Sequence, residues 1–148
     1  MRRHLPRKQK GAVAIEFALV FSIFFAVFYG IVSYSVPLLL MQSFNEATAE
    51  AVRRSVALDP NTNDYPTALE SLANGVLQQQ LSWVPKAFNI TYGTGGDAKA
   101  VYSAGVLTAS VDYPTIMLIL VIPFLVLPGV GNVPSLPVNL SAQSSLKF

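Results

Sequence analysis

From Phe17 to Asn45 the chain carries no charge, and most of its positions are Leu, Val, Ile, Phe or Ala. About 20 apolar residues are enough to cross a bilayer. The run is too long for the roughly 7–15-residue core of a secretory signal peptide. After Asn45 the pattern turns polar but stays compatible with helix, because Asn45 to Leu58 is rich in Ala, Glu and Arg. Glu50 and Arg54 stand at i,i+4 in the favourable order. Asp59-Pro60 closes the run. One helix over residues 12–58 would be about 70 Å long at about 1.5 Å per residue. That exceeds a bilayer, so its first part, about residues 16–42, is expected in the membrane and the rest beyond it. Pro37 is expected to kink it, since proline removes a backbone donor.

Residues 59–148 read as a small head. Asp59 to Pro66 is a turn segment, and a second helix is expected from Thr67 to Val84. Thr67 and Glu70 have capping-box spacing. Leu69, Leu72, Ala73, Val76, Leu77 and Val84 give that helix an apolar face, and Pro85 ends it. Three alternating stretches read as strands. They are Phe88–Tyr92, Leu107–Tyr113 and Val138–Leu146, with Gly93–Asp97 as a turn. Three such strands make a small antiparallel sheet with one face on a helix. Ile116 to Leu127 is apolar throughout, with Pro123 inside and Pro128 just beyond. It is too short and too proline-broken for a second span. It is either a buried strand or core loop, or a surface that docks on a membrane or another subunit. The fold class is α+β.

Two stripes run along the first helix. Ala14, Ala18, Ser22, Ala26 and Gly30 recur every four residues, and so do Phe17, Phe21, Phe25 and Tyr29. Small residues at this spacing let helices approach closely in lipid. The four unbroken steps favour a packing face over a plain anchor with chance spacing.

Charge sharpens the picture. The mean hydropathy is +0.46 and 12% of residues are charged, against about 25% in a soluble protein. Half of the ten basic residues are Arg2, Arg3, Arg7, Lys8 and Lys10. Without them the chain is at −3, so the pI of 9.0 describes this leader and argues against nucleic acid as a partner. A basic cluster beside an apolar span predicts a cytoplasmic N-terminus. Arg2-Arg3 sits in poor surroundings for a twin-arginine signal.

Glu16 lies just inside the apolar run, five residues after Gly11. A carboxylate within a membrane helix costs about 2.5–3.5 kcal/mol or more, so it is rarely there without a role. A basic leader (residues 1–11), a glycine, four apolar residues, Glu16 and the aromatic Phe17 together read as a prepilin-type processing signal, with Gly11 and Ala12 as the cleavage site. Ala47-Thr48-Ala49 is a rival small-x-small site for signal peptidase, but cleavage there would leave Glu16 without purpose.

Over Gly11 to about Arg54 the chain resembles the TadE-like pseudopilins (TadE, TadF and TadG) of tight-adherence, or Flp, pili. The resemblance is carried by Gly11-Ala-Val-Ala-Ile-Glu16-Phe17, the aromatic-rich helix, and Asn45-Glu-Ala-Thr-Ala-Glu-Ala-Val-Arg-Arg54. It implies a pilin-like layout and a structural role in assembling a pilus and secretion system from the bacterial inner membrane. The partners it implies are a prepilin peptidase, other pseudopilins or the major pilin, and the assembly platform. It also implies two roles for Glu16: recognition by the peptidase, and neutralisation of the α-amino group created on Ala12.

Other chemistry is thin. There is no cysteine, and the one histidine is His4 in the leader, so a mature chain lacks the usual near-neutral base and any His-based triad or zinc site. Asp59, Asn61, Asn63, Tyr65, Thr67 and Glu70 fall at calcium-loop positions, but Asp64 replaces the required glycine and Pro66 follows. The glycines at 93–96 lack a phosphate-loop context. Neither an enzyme nor a cofactor is expected. The competing functional class is a membrane-anchored periplasmic binding module outside any pilus.

Overall fold

The computed structural model describes residues 10–122, 125–127 and 131–148. The leader residues Arg2, Arg3, His4, Arg7 and Lys8, together with Pro123 and Pro128, lie outside the described residues.

Helix α1 (Lys10–Ser55) runs through Pro37 without interruption and changes character along its length. Up to Val32 its side chains are largely exposed. From Ser33 onward a stripe is buried: Ser33, Pro37, Leu40, Phe44, Ala47, Ala51 and Ser55. Steps of three and four keep these positions on one face. The buried hydroxyls are satisfied within the helix, Thr48 Oγ1 donating to the Asn45 carbonyl at 3.1 Å and Ser55 Oγ to that of Ala51 at 2.7 Å.

Helix α2 (Tyr65–Gln80) begins two residues earlier and ends four earlier than the sequence predicts. The capping box does not form. Asp64, in the left-handed region at φ 53°, precedes the helix, and Pro66 fills its first turn. Glu70 is used elsewhere. Its Oε1 accepts the Tyr102 N–H at 2.7 Å, and Asn74 Oδ1 accepts that of Ala100 at 2.9 Å. These two side chains, one helical turn apart, occupy the outer edge of a strand.

That strand is β1 (Ala98–Ser103), and it corrects the sequence reading. Residues 88–92 do not form a strand. Lys86–Phe88 is a single 3-10 turn, η1, and Asn89 at φ 51° breaks the extension. The Asp97 carboxylate accepts from the Thr91 N–H and hydroxyl, folding the segment back through Gly93–Gly96. Gly96 is required there, because a Cβ would sit 2.9 Å from the Thr91 backbone. The strand that does form turns only Ala98 and Ala100 into the core, small enough to escape a pattern of large apolar residues.

A two-residue turn, Ala104-Gly105, with both residues at positive φ, leads to β2 (Val106–Pro114). Next come the 3-10 helix η2 (Thr115–Leu120) and the short antiparallel pair β3 (Leu125–Leu127) and β4 (Gly131–Val133). The apolar segment is therefore not a strand of the core sheet. Only Thr115 and Leu118 of η2 are buried. Strand β5 (Asn139–Lys147) completes an antiparallel sheet of order β1-β2-β5.

The core lies between this sheet and the two helices. Phe44 of α1 meets Tyr113 of β2 with ring centroids 6.1 Å apart, and the Tyr113 hydroxyl donates to the Phe88 carbonyl at 2.8 Å. Burial raises the Tyr113 pKa, with a smaller push from Asp97. Strand β5 runs alongside α1 in the same sense. The Ser135 N–H reaches the Tyr34 hydroxyl at 2.9 Å, and Ser144 Oγ meets Thr48 Oγ1 at 3.2 Å. The Pro114/Asn139 end of the sheet thus lies toward the exposed half of α1.

At its other end α1 is tied to α2. Glu50 takes hydrogen bonds from Arg53 (2.6 and 2.7 Å) and Arg54 (2.6 Å), and Arg54 Nη1 reaches Gln79 Oε1 at 3.1 Å. The bonds from Arg53, then those from Arg54, pull the Glu50 pKa from 4.5 down to about 2. A carboxyl held this low stabilises the fold fully above pH 4.5 and loses that contribution as pH falls from 4.5 through about 2. The side-chain carboxyl resonance of Glu50, followed by NMR in micelles, should titrate near 2; a midpoint near 4.5 would mean the clamp is absent.

Candidate functional site

The candidate site is the exposed first half of α1. A helix apolar all round needs an apolar surrounding, either a large core or lipid. Among the described residues, α1 is the one helix long and apolar enough to cross a membrane, and no residue of its most apolar window is buried. It is a single-pass membrane anchor by length and composition.

Gly11 and Ala12 sit in its first turn, and both are exposed. A side chain at Gly11 would meet nothing within 4 Å. Glu16 follows Ala12 by four residues, about one turn. It is exposed and has no hydrogen bond or ion pair among the described residues. Phe17 stacks on Phe21 at 5.9 Å and Phe21 on Phe25 at 6.3 Å. Phe24 and Phe28, at 6.2 Å, form a further stacked pair that the four-step reading did not include.

Ala14, Ala18, Ser22 and Ala26 are exposed, and Gly30 is half-buried. The one polar member is neutralised locally, since Ser22 Oγ donates to the Ala18 carbonyl at 2.7 Å. The stripe therefore offers a smooth apolar ridge. Ridges of four-residue spacing pack on one another at crossing angles of about −40 to −50°.

The structure gathers Gly11, Ala12, Glu16 and Phe17 into the first two turns and sets the small ridge above them. What the sequence reading missed is the second stripe, from Ser33 to Ser55. Its three-and-four spacing of Leu40, Phe44, Ala47 and Ala51 was available as a signal, but it lies in a helix already apolar at most positions.

The structure also places the two rival sites. Ala47 and Thr48 are buried on α1. The calcium-loop positions Tyr65, Thr67 and Glu70 are helical, Glu70 is bonded to β1, and Asp59 Oδ1 accepts from the Asn61 N–H at 2.9 Å. No cluster of three His, Cys, Asp or Glu side chains suited to a metal occurs among the described residues.

Residues 11–53 match the family model described as TadE-like protein. The match takes in every residue of the candidate site and ends inside the last turn of α1; the head lies outside it. The family is one of the Tad pilus system. No curated protein and no solved structure matches the chain.

Replacing Ala18, Ser22 or Ala26 with leucine adds bulk to the ridge while raising hydrophobicity. Insertion should stay intact and in-membrane crosslinking between associated helices should fall. Equal crosslinking in all three variants and the unsubstituted protein would leave the ridge without a packing role.

Proposed function

We propose that this TadE-like chain is a minor pilin or pseudopilin-like structural subunit of a tight-adherence (Flp) pilus and secretion system. It sits in the bacterial inner membrane with its N-terminus cytoplasmic and its head periplasmic. A prepilin peptidase removes residues 1–11, and the mature helix associates with other pseudopilins or the major pilin and with the assembly platform. The observation that carries the reading is the unpartnered Glu16, one turn above Ala12, inside the segment that the family model matches.

The physical logic is charge pairing. An isolated carboxylate at the edge of the hydrocarbon is costly, and a cation beside it lowers the cost. Cleavage after Gly11 creates an ammonium on Ala12, in the same chain or an adjoining one. The head's acids Asp59, Asp97 and Asp112 are bonded to neighbouring Asn, Thr and Ser groups.

Intact-mass analysis of protein from native membranes should show loss of residues 1–11. A mature form that keeps Met1, or one that begins at Glu50, would sink the proposal, and retention of Met1 would favour an anchored binding module instead.

Glu16→Gln keeps the shape and removes the charge. The variant should insert, since its helix is more apolar, yet support little pilus assembly by shear fractionation. Normal cleavage with failed assembly places the role at the helix contact, and lost cleavage places it at the peptidase. Normal behaviour in both assays would make Glu16 incidental.

A further inference from the structure

The described residues of the apolar segment between β2 and β5 lie at the end of the head nearer the exposed half of α1. In the register of β5 along α1, residue 135 is level with Tyr34 and residue 144 with Thr48. Tyr34 is about 33 Å up the helix from Ala12 at about 1.5 Å per residue, and a hydrocarbon core is about 30 Å thick. Burial of α1 by the head begins at Ser33. With Ala12 taken as the inner edge of the hydrocarbon, this rim of the head falls near its outer edge. The described residues between Pro114 and Asn139 leave and rejoin the sheet at that rim, through the Pro114/Asn139 pair.

The rim is apolar and uncharged. No Asp, Glu, Lys or Arg occurs between Asp112 and Lys147. Ile116 is 66% exposed, Leu120 81%, Val126 71% and Val138 86%. The nearest charge, Asp112, is held by Asn139 Nδ2 at 3.0 Å and Ser141 Oγ at 2.7 Å. Lys147 pairs with Val106 at the far end of the sheet and Arg53 and Arg54 lie in the last turn of α1, while Asp97 and Lys99 stand beside Asp112. Tyr34 is the amphipathic type of residue enriched at membrane interfaces.

We propose that η2, the β3–β4 pair and Val138 form a second membrane contact, which rests in the outer face of the bilayer beside α1. The occupant of this surface is lipid. Its apolar side chains replace water with acyl chain, and the missing charge is what such a contact requires. The head is thereby held at two points, which fixes its tilt and rotation about α1. The inference rests on α1 spanning the membrane.

The chain has no cysteine, so single-cysteine variants carry one label each. Leu120→Cys, Val126→Cys and, at the opposite end of the head, Ser103→Cys are made in the full chain. All three positions are exposed, and circular dichroism checks that each variant keeps the parent's helix content. Each is labelled with an environment-sensitive fluorophore and reconstituted alone into vesicles of phosphatidylethanolamine and phosphatidylglycerol. Nitroxide placed near the lipid headgroup should quench the labels at 120 and 126 several-fold more than at 103, and aqueous iodide should show the reverse order. Iodide quenching equal at all three positions, in protein that resists carbonate extraction, overturns the contact while leaving the span intact. Shielding from both quenchers that grows with protein density means a second copy covers the surface, and also overturns it. Release by carbonate would remove the span and the inference together.

Discussion

The seam between the second half of α1 and the sheet is the contact on which the remainder depends. Helix α2 and strands β2 and β5 all pack on α1 along it. Leu40, Phe44, Ala47 and Ala51 supply one side; β2 and β5 supply Leu107, Val111, Tyr113, Leu140 and Ala142. The small residues at 47 and 51 let the sheet come close, and Phe44 fills the space toward Tyr113. Because the same helix continues into the apolar half, the seam also sets where the head stands relative to the membrane. A helix without a break passes on its position and its rotation, so the register of one contact decides both.

The two helices divide the work on the sheet. α1 covers its face nearer β5, while α2 packs on β1 and bonds the backbone of its edge through Glu70 and Asn74. An unpaired strand edge is a template for unwanted pairing. Here two side chains close it without a further strand. That explains why a short, alanine-rich strand suffices at this edge: its stability comes from side chains that bond its backbone, and its own side chains need only be small.

How much of this was legible in the chain varies by element. The long helix, its apolar half and the turn at Asp59 follow from composition and from Asp-Pro chemistry, which act locally. β2 and β5 follow from clean alternation, because one face of each is buried and the other wet. β1 was hidden, since its inward residues are Ala98 and Ala100, whose size reflects a helix lying above them. The segment 88–92 alternates as well as any strand, yet Asn89 in a left-handed conformation ends the extension. The use of Glu70 was equally invisible, for its partner is thirty-two residues away. In the site itself, Gly11, Glu16 and the small ridge were readable because each is defined against a uniform background. The seam was not, because its residues look like the rest of an apolar helix.

The order of elements along the chain has a consequence for how the protein is made. The hydrogen bonds joining Thr48 to Ser144 and Tyr34 to Ser135 close loops of 96 and 101 residues. Contacts so distant in sequence are slow to form. β5, the last of these elements in chain order, is also the one that lies alongside α1 and borders the central strand. Until it arrives, only the β1–β2 hairpin is there to cover the seam on α1, and β2 lacks its second neighbour. Through that interval the helix waits with part of this apolar face bare, and the bilayer that holds its first half is the nearest shelter.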